Sequence, residues 1–234
     1  GHIRYDRPGT INLVRSTANF DMQQVKQTVT AGTTVDFSPS AQNFMIASYY
    51  STNSLYHTTL YVDGTLNVGT NMIAARQQAD YYANINVNSG GRLVTAHTNG
   101  LYNVGASASA IYPLIGVNYR MNFYLDPNST VEYAGTDTQV ITGTGYGIAT
   151  TPNHRYGFLD INHQGTPDVE FAYPFDDSVV VRTGLVLTNG ELNLDSDHAT
   201  AGGGRTLTVM NGATIARNVN RCCTTVTQYR TCNR

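Results

Sequence analysis

Leu60-Tyr-Val-Asp-Gly64-Thr-Leu-Asn-Val68 carries the whole structural logic of this chain in one short stretch. Apolar and polar residues alternate on both sides of Asp63-Gly64, which is the period of a half-buried strand. The Asp-Gly pair tolerates the left-handed backbone of a tight turn. The same grammar returns in residues 85–95, 123–133, 159–171, 185–194 and 207–215. Aligned on their turns, the segments stack apolar residues in columns. Leu60, Ile85, Phe123, Leu159, Leu185 and Leu207 form one column. Val62, Val87, Leu125, Ile161, Leu187 and Val209 form the next, and Leu66, Leu93, Val131, Val169, Leu192 and Ile215 follow the turn. The turn markers Gly64, Gly90, Asn128, Gly165, Gly190 and Gly212 are 26, 38, 37, 25 and 22 residues apart.

Such spacings suit the coils of a β-solenoid, in which one coil cannot bury its inner face alone and stacked neighbours close the core. An all-β, single-domain β-solenoid with coils of about 22–38 residues is therefore expected, and right-handed winding is the common case. Alternating hairpins of a β-sandwich or jelly roll are the competing architecture. The solenoid is expected over residues 1–220, regular in 60–215. Residues 1–58 supply degenerate coils or a cap, with Ile11-Asn-Leu13 and Val35-Asp-Phe37 as degraded members and residues 22–29 as a short cap. Residues 71–82, rich in Ala and Gln, are the one place where a brief helix is conceivable. Residues 221–234 form a basic, Cys-containing tail.

Composition narrows the functional classes. Only 13% of the 234 residues are charged and 41% are hydrophobic, so Thr, Asn, Gly and Tyr fill places that charge usually takes. Sixteen Tyr argue against a disordered chain. The longest apolar stretch, around residues 111–117, is far short of a bilayer span. No N-terminal apolar segment reads as a signal peptide, so an export signal is expected to have been removed. The net charge of −2 conceals a division. Residues 1–120 carry seven bases and five acids, and residues 121–197 carry eleven acids with only Arg155 and Arg182. From His198 onward there is no acid, and Arg205, Arg217, Arg221, Arg230 and Arg234 make the tail basic. Neither nucleic-acid coating nor membrane insertion fits these numbers. A basic tail facing an acidic body instead suggests a heterologous, head-to-tail contact between copies, with Arg217, Arg221, Arg230 and Arg234 as its cations.

Cys222, Cys223 and Cys232 all lie in that tail. Their spacing does not match a zinc motif. In an exported protein they permit a disulfide and leave one thiol over, for a crosslink between copies. The solenoid's two open ends, each a row of unpaired backbone groups, favour the same outcome, a homopolymer.

Thr130-Val-Glu-Tyr-Ala-Gly-Thr136, followed by Gly184-Leu-Val-Leu-Thr-Asn-Gly190-Glu-Leu-Asn-Leu194, resembles the β-solenoid stretches of very large secreted surface proteins of Bacteroidota, including gliding and adhesion proteins. It is more distantly similar to filamentous haemagglutinin and autotransporter passengers. The resemblance implies export, an extracellular or cell-surface location and a structural or adhesive role, and it carries no catalytic residues.

Parallel β-helices also host polysaccharide lyases and hydrolases, so the acids need weighing. Asp176-Asp177, Asp195-Ser-Asp197-His198 and the pair Glu132 and Glu170 are the candidates for general acid and base. The Asn-Thr-Asp, His-Gly and Arg-Ile-Lys company of polygalacturonases is absent, and no nucleophile elbow, phosphate loop or His-Glu-x-x-His occurs. In the aligned columns Glu132 and Glu170 fall on successive coils with Asn193 next. Like charges so placed repel, and calcium, an Arg partner or solvent would relieve them; no other cofactor is expected. Asn128-Ser-Thr130 is a formal glycosylation sequon on a turn. Tyr61 and Tyr124 point outward and offer rings for sugars to stack on. The expected function is a non-enzymatic extracellular structural or adhesive protein that self-associates as a fibre or surface-layer subunit. A carbohydrate-binding or polysaccharide-cleaving β-helix is the alternative, with surface glycans as further partners.

Overall fold

The computed structural model describes residues 2–14, 26–40, 43–46, 58–75, 82–101, 110–113, 120–141, 155–165, 169–171, 178–190, 192–193, 206–210 and 212–217. Among them there are strands, turns and bends but no helix. The strands follow one another as coils. The first is β1 (His2–Tyr5) and β2 (Gly9–Asn12), and the second β3 (Lys26–Val29), β4 (Thr33–Asp36) and β5 (Phe44–Met45). Next come β6 (Thr58–Val62), β7 (Thr65–Gly69) and β8 (Ile73–Ala75), then β9 (Tyr82–Val87), β10 (Arg92–Thr95) and β11 (Ile111–Pro113). The coil of β12 (Arg120–Leu125), β13 (Thr130–Tyr133) and β14 (Gln139–Ile141) precedes β15 (Arg155–Asn162) and β16 (Val169–Phe171). β17 (Ser178–Asn189) with β18 (Leu192–Asn193), and β19 (Thr206–Val209) with β20 (Thr214–Arg217), complete the series.

Every pairing is parallel and joins a strand to its counterpart in the next coil, which defines a β-solenoid. The first sheet runs β1-β3-β6-β9-β12. The second, nine-stranded sheet runs from β2 through β4, β7, β10, β13 and β15 to β17, on which β19 and β20 both pair. The third side is two three-stranded sheets, β5-β8-β11 and β14-β16-β18. Lys26–Val29 is a regular member of the first sheet rather than a cap, and Ile11 and Val35 sit in full register in the second. Where a brief helix was conceivable, Ile73–Ala75 and the start of β9 are strand, and residues 76–81 lie outside the described residues.

The core is the set of inward columns. In the second sheet Ile11, Val35, Leu66, Leu93, Val131, Leu159, Leu185 and Ile215 lie one upon another. Val35, Leu66, Leu93, Val131 and Leu159 are completely buried. In the first sheet Leu60, Ile85 and Phe123 form one buried column, and Val29, Val62, Val87 and Leu125 another. Burying one such side chain contributes about 1.5–3 kcal/mol, so cohesion grows with every coil added.

The columns read from the sequence hold through Phe123 and Val131 and then lose phase. Leu159 and Leu185 do not continue the Leu60 column; they stack on Val131, in the second sheet. Val169 and Leu192 belong to the third side, where they pair with Gln139 and with each other. Gly64, Gly90 and Asn128 mark the corner between the first and second sheets, whereas Gly165 and Gly190 mark the next corner. At the first corner β15 and β17 make no turn at all. They continue through it as single strands of 8 and 12 residues, with a register shift between Tyr156 and Phe158 where they pair. Gly157 makes this possible, because a Cβ there would sit 2.5–2.6 Å from the carbonyl oxygens of Asp126, Pro127 and Ser129 beneath. The turn returns at Gly212, whose φ of 88° suits glycine. Since both corners join alternating strands through Gly turns, the sequence pattern alone does not distinguish them.

Replacing Gly157 by Ala therefore forces backbone against backbone. The expected cost is about 1–3 kcal/mol, read as a lower urea midpoint without a change in the far-ultraviolet spectrum.

Candidate functional site

On a solenoid the chemistry lies on the outward positions, and the second sheet holds the densest polar group. Val131 and Tyr133 point into the core, which sends Glu132 to the outer face. Its neighbour in the next coil is Asp160, not Glu170. Two like charges on adjacent strands, about 4.8 Å apart, repel. Arg92, one coil below and two residues along, resolves the repulsion. Its Nε donates to Glu132 Oε2 at 2.7 Å and its Nη2 to Asp160 Oδ2 at 2.5 Å. Asn162 Nδ2 donates to Glu132 Oε1 at 2.6 Å, and Thr188 Oγ1 to Asp160 Oδ1 at 2.7 Å. Each of the four carboxylate oxygens thus has a protein donor, and both acids are buried. Burial opposes the Arg92 charge, but its bonds to Glu132 and Asp160 outweigh that and raise its pKa above the ordinary value. The group ties β10, β13, β15 and β17 together as one polar staple.

A second polar set fills the corner between the second sheet and the third side. The Nδ1 of His97 accepts the Asn99 N–H at 3.2 Å, and the Nδ1 of His163 accepts that of Gly165 at 3.3 Å. The proton of His163 therefore sits on Nε2, which donates to the Asp137 carbonyl at 2.8 Å. Gln139, fully buried, accepts from the Gly135 N–H and donates to the carbonyls of Thr95 and His97. Burial lowers the pKa of His97 below its ordinary value.

The other residues singled out in the sequence divide clearly. Glu170 lies on β16 opposite Val140 and Asn193, in a different sheet from Glu132, so the expected stacking of these two acids on successive coils does not occur. Among the described residues no group of three His, Cys, Asp or Glu is placed to hold a metal ion. Asn128 lies exposed on the first-corner turn, where Asp126 Oδ1 accepts its N–H at 2.8 Å. Arg217 ends β20 opposite Leu187. Asp176, Asp177, Asp195, Asp197, Arg221, Arg230, Arg234, Cys222, Cys223 and Cys232 lie outside the described residues. Arg92, Asp160, His97 and His163 went unnoticed in the sequence. Asp160 would have met Glu132 had Leu159 been set on Val131.

These features define a parallel β-solenoid whose densest outward polar group is closed upon itself. No family model, curated protein or solved structure matches the chain.

Arg92→Met leaves two buried acids without their cation. We expect a loss of about 2–3 kcal/mol in urea unfolding, less than the ~3–5 of a fully buried pair because the Arg92 side chain is still 35% exposed. Adding Glu132→Gln and Asp160→Asn should restore most of it. His97 gives a pH signature of definite sign. Its folded pKa is depressed, so below about pH 6.5 the unfolded chain takes up the proton first and stability falls with pH until the folded value is passed. In His97→Gln that part of the slope between pH 7 and pH 5 should vanish.

Proposed function

We propose that this protein is a non-enzymatic structural or adhesive subunit of the extracellular space that associates head to tail through the ends of its solenoid. The supporting observation is the state of the second sheet at its two limits. Among the described residues β2 pairs only with β4, and β19 and β20 pair only with β17, so within that set each limit ends on a parallel edge. The inward column is unfinished at the same places. Ile11 is only partly buried at one end, and Ile215, the last member at the other, is 64% exposed. Ile3 and Leu13 accompany Ile11, and Met210, 40% exposed, lies near Ile215.

A second copy placed with its β2 on β20 sets Ile11 over Ile215 and continues the column without a change of register. Backbone bonds and apolar burial then act together, as they do between coils. The contact is heterologous and does not close, so it propagates as a fibre. The acid-free stretch that follows β19 in sequence, with Arg217, Arg221, Arg230, Arg234 and three cysteines, supplies the cations and thiols that the head-to-tail reading calls for. Export and adhesion rest on the resemblance.

Ile215→Glu places a charge in the junction while leaving the buried column intact. Light scattering and electron micrographs should show filaments or large assemblies for the native chain and monomers for the variant, with equal urea midpoints. A monodisperse native monomer at high concentration would refute the proposal.

A further inference from the structure

The contact proposed between β2 and β20 has a counterpart on the other side of the first corner. β17 crosses that corner as one strand, so Ser178–Val181 pairs with β19 before it and Gly184–Leu187 pairs with β20 after it. β19 and β20 thus stand at one limit as β1 and β2 stand at the other. Inward side chains are incompletely covered on both members of each pair. Leu207 and Val209 join Ile215 at one limit, and Ile3 joins Ile11 at the other.

The corner between the two strands decides whether both can dock at once. From the last inward residue before it to the first after it, Tyr5 to Ile11 and Val29 to Val35 each span six positions. Val87 to Leu93 and Leu125 to Val131 also span six, whereas Val62 to Leu66 spans four and Tyr156 to Leu159 three. At both steps from six to a shorter corner, a glycine lies against carbonyl oxygens of the coil beneath. A Cβ on Gly64 would run into those of Thr30 and Thr33, and one on Gly157 into those of Asp126, Pro127 and Ser129. Equal corners stack without such a glycine. Gly32 has nothing within 4 Å of a Cβ placed on it, and residues 126–129, over 88–91, contain no glycine. Backbone bonds cross both equal pairs, from the Gly9 N–H to the Gly32 carbonyl at 3.2 Å and from the Gly90 N–H to the Asn128 carbonyl at 3.1 Å. The last coil returns to this length, with Val209 and Ile215 six positions apart. Asp6-Arg7-Pro8-Gly9 of an incoming copy has no glycine at the places of Gly64 and Gly157, so it calls for an equal corner beneath, and residues 210–213 provide one.

We infer that the head-to-tail contact is two-sided: β1 of one copy seats on β19 of the next while β2 seats on β20, around first corners of equal length. Tyr5 then lies over Val209, Ile3 over Leu207 and Ile11 over Ile215, so both inward columns run on from copy to copy in register. The Pro8 carbonyl faces the Gly212 N–H, the places that Asn128 and Gly90 hold within the chain. Residues 206–216 carry no charge, so Arg4 meets Thr208 and Asp6 meets Met210 without a like-charge contact. Arg217, the last residue of β20, comes opposite Leu13. This rests on the head-to-tail reading above and adds the half of the partner surface that β2 and β20 do not supply.

Paired cysteines in the full chain test the register. Facing positions on neighbouring strands are about 4.8 Å apart, within the Cα span of a disulfide. Positions 4 and 208 lie at opposite limits of one copy, roughly 30 Å apart, so a bond between them joins two copies. After oxidation of assembled Arg4→Cys/Thr208→Cys, peptide mapping should find that bond in most chains. Arg4→Cys/Met210→Cys, out of register, should give about a tenth as much or less. Asn12→Cys/Ala216→Cys reports on the second sheet. A 12–216 bond without a 4–208 bond overturns the two-sided contact and leaves the junction of β2 with β20 standing. Neither bond in assembled chains overturns the two-sided contact and that junction together. Electron cryomicroscopy of native filaments needs no cysteines: it should show the first corner unbroken across copies, and a seam joining only β2 to β20 overturns the inference. A native chain that stays monomeric at high concentration overturns the head-to-tail reading and this inference with it.

Discussion

Everything in this molecule depends on parallel strands staying in register from one coil to the next. A strand alternates its side chains with period two, so a slip of one residue turns a whole column from core to solvent. The column from Ile11 to Ile215 meets that condition at every step, through corners of different shape and loops of different length. The constraint also explains the low charge. Inward positions are committed to Val, Leu and Ile, and outward ones sit about 4.8 Å from their own kind, where like charges repel. Thr, Asn and Tyr stack there without that penalty.

Where acids enter the outer columns of the second sheet, they bring partners. Glu132 over Asp160 would be a destabilising pair, and Arg92, Asn162 and Thr188 convert it into a tie across four strands. Gln139, His97 and His163 do comparable work at the second corner, taking up N–H groups that no strand satisfies. A buried polar group left unpaired costs more than a paired one contributes, which is why these sets are nearly closed. The Nε2 of Gln27 and the Nε of Arg182 are the exceptions among the described residues.

The fold was legible in the sequence because period-two alternation around Gly turns leaves few architectures open, and six copies in register favour a solenoid. The phase of the fourth and fifth copies was not. Leu159-Asp-Ile reads as well before the first corner as before the second, and only Gly157 distinguishes them. That glycine is silent in a pattern search, because what demands it is the carbonyl cluster of Asp126, Pro127 and Ser129 one coil below. The same loss of phase hid the staple and paired Glu132 with Glu170, residues on different sheets. An outward position is legible within one coil, but its neighbours belong to other coils, and finding them requires the register. Tyr61 and Tyr124 escaped this difficulty because both precede the break.

The break and the staple are one arrangement. Above β12 the turn at the first corner is lost, and with it the turn's own hydrogen bonds. Arg182 replaces them by donating to the Leu125 and Arg155 carbonyls, and Thr183 by donating to that of Pro127. The strands that cross this corner, β15 and β17, are the ones the Arg92 group binds to the regular coils below. Polar ties thus concentrate where the backbone departs from its repeat, and they use up the outward acids of the second sheet in doing so. The first sheet, regular from β1 to β12, carries only lighter outward contacts, His2 with Thr28, Asn84 with Thr59 and Lys26 over the Tyr61 ring.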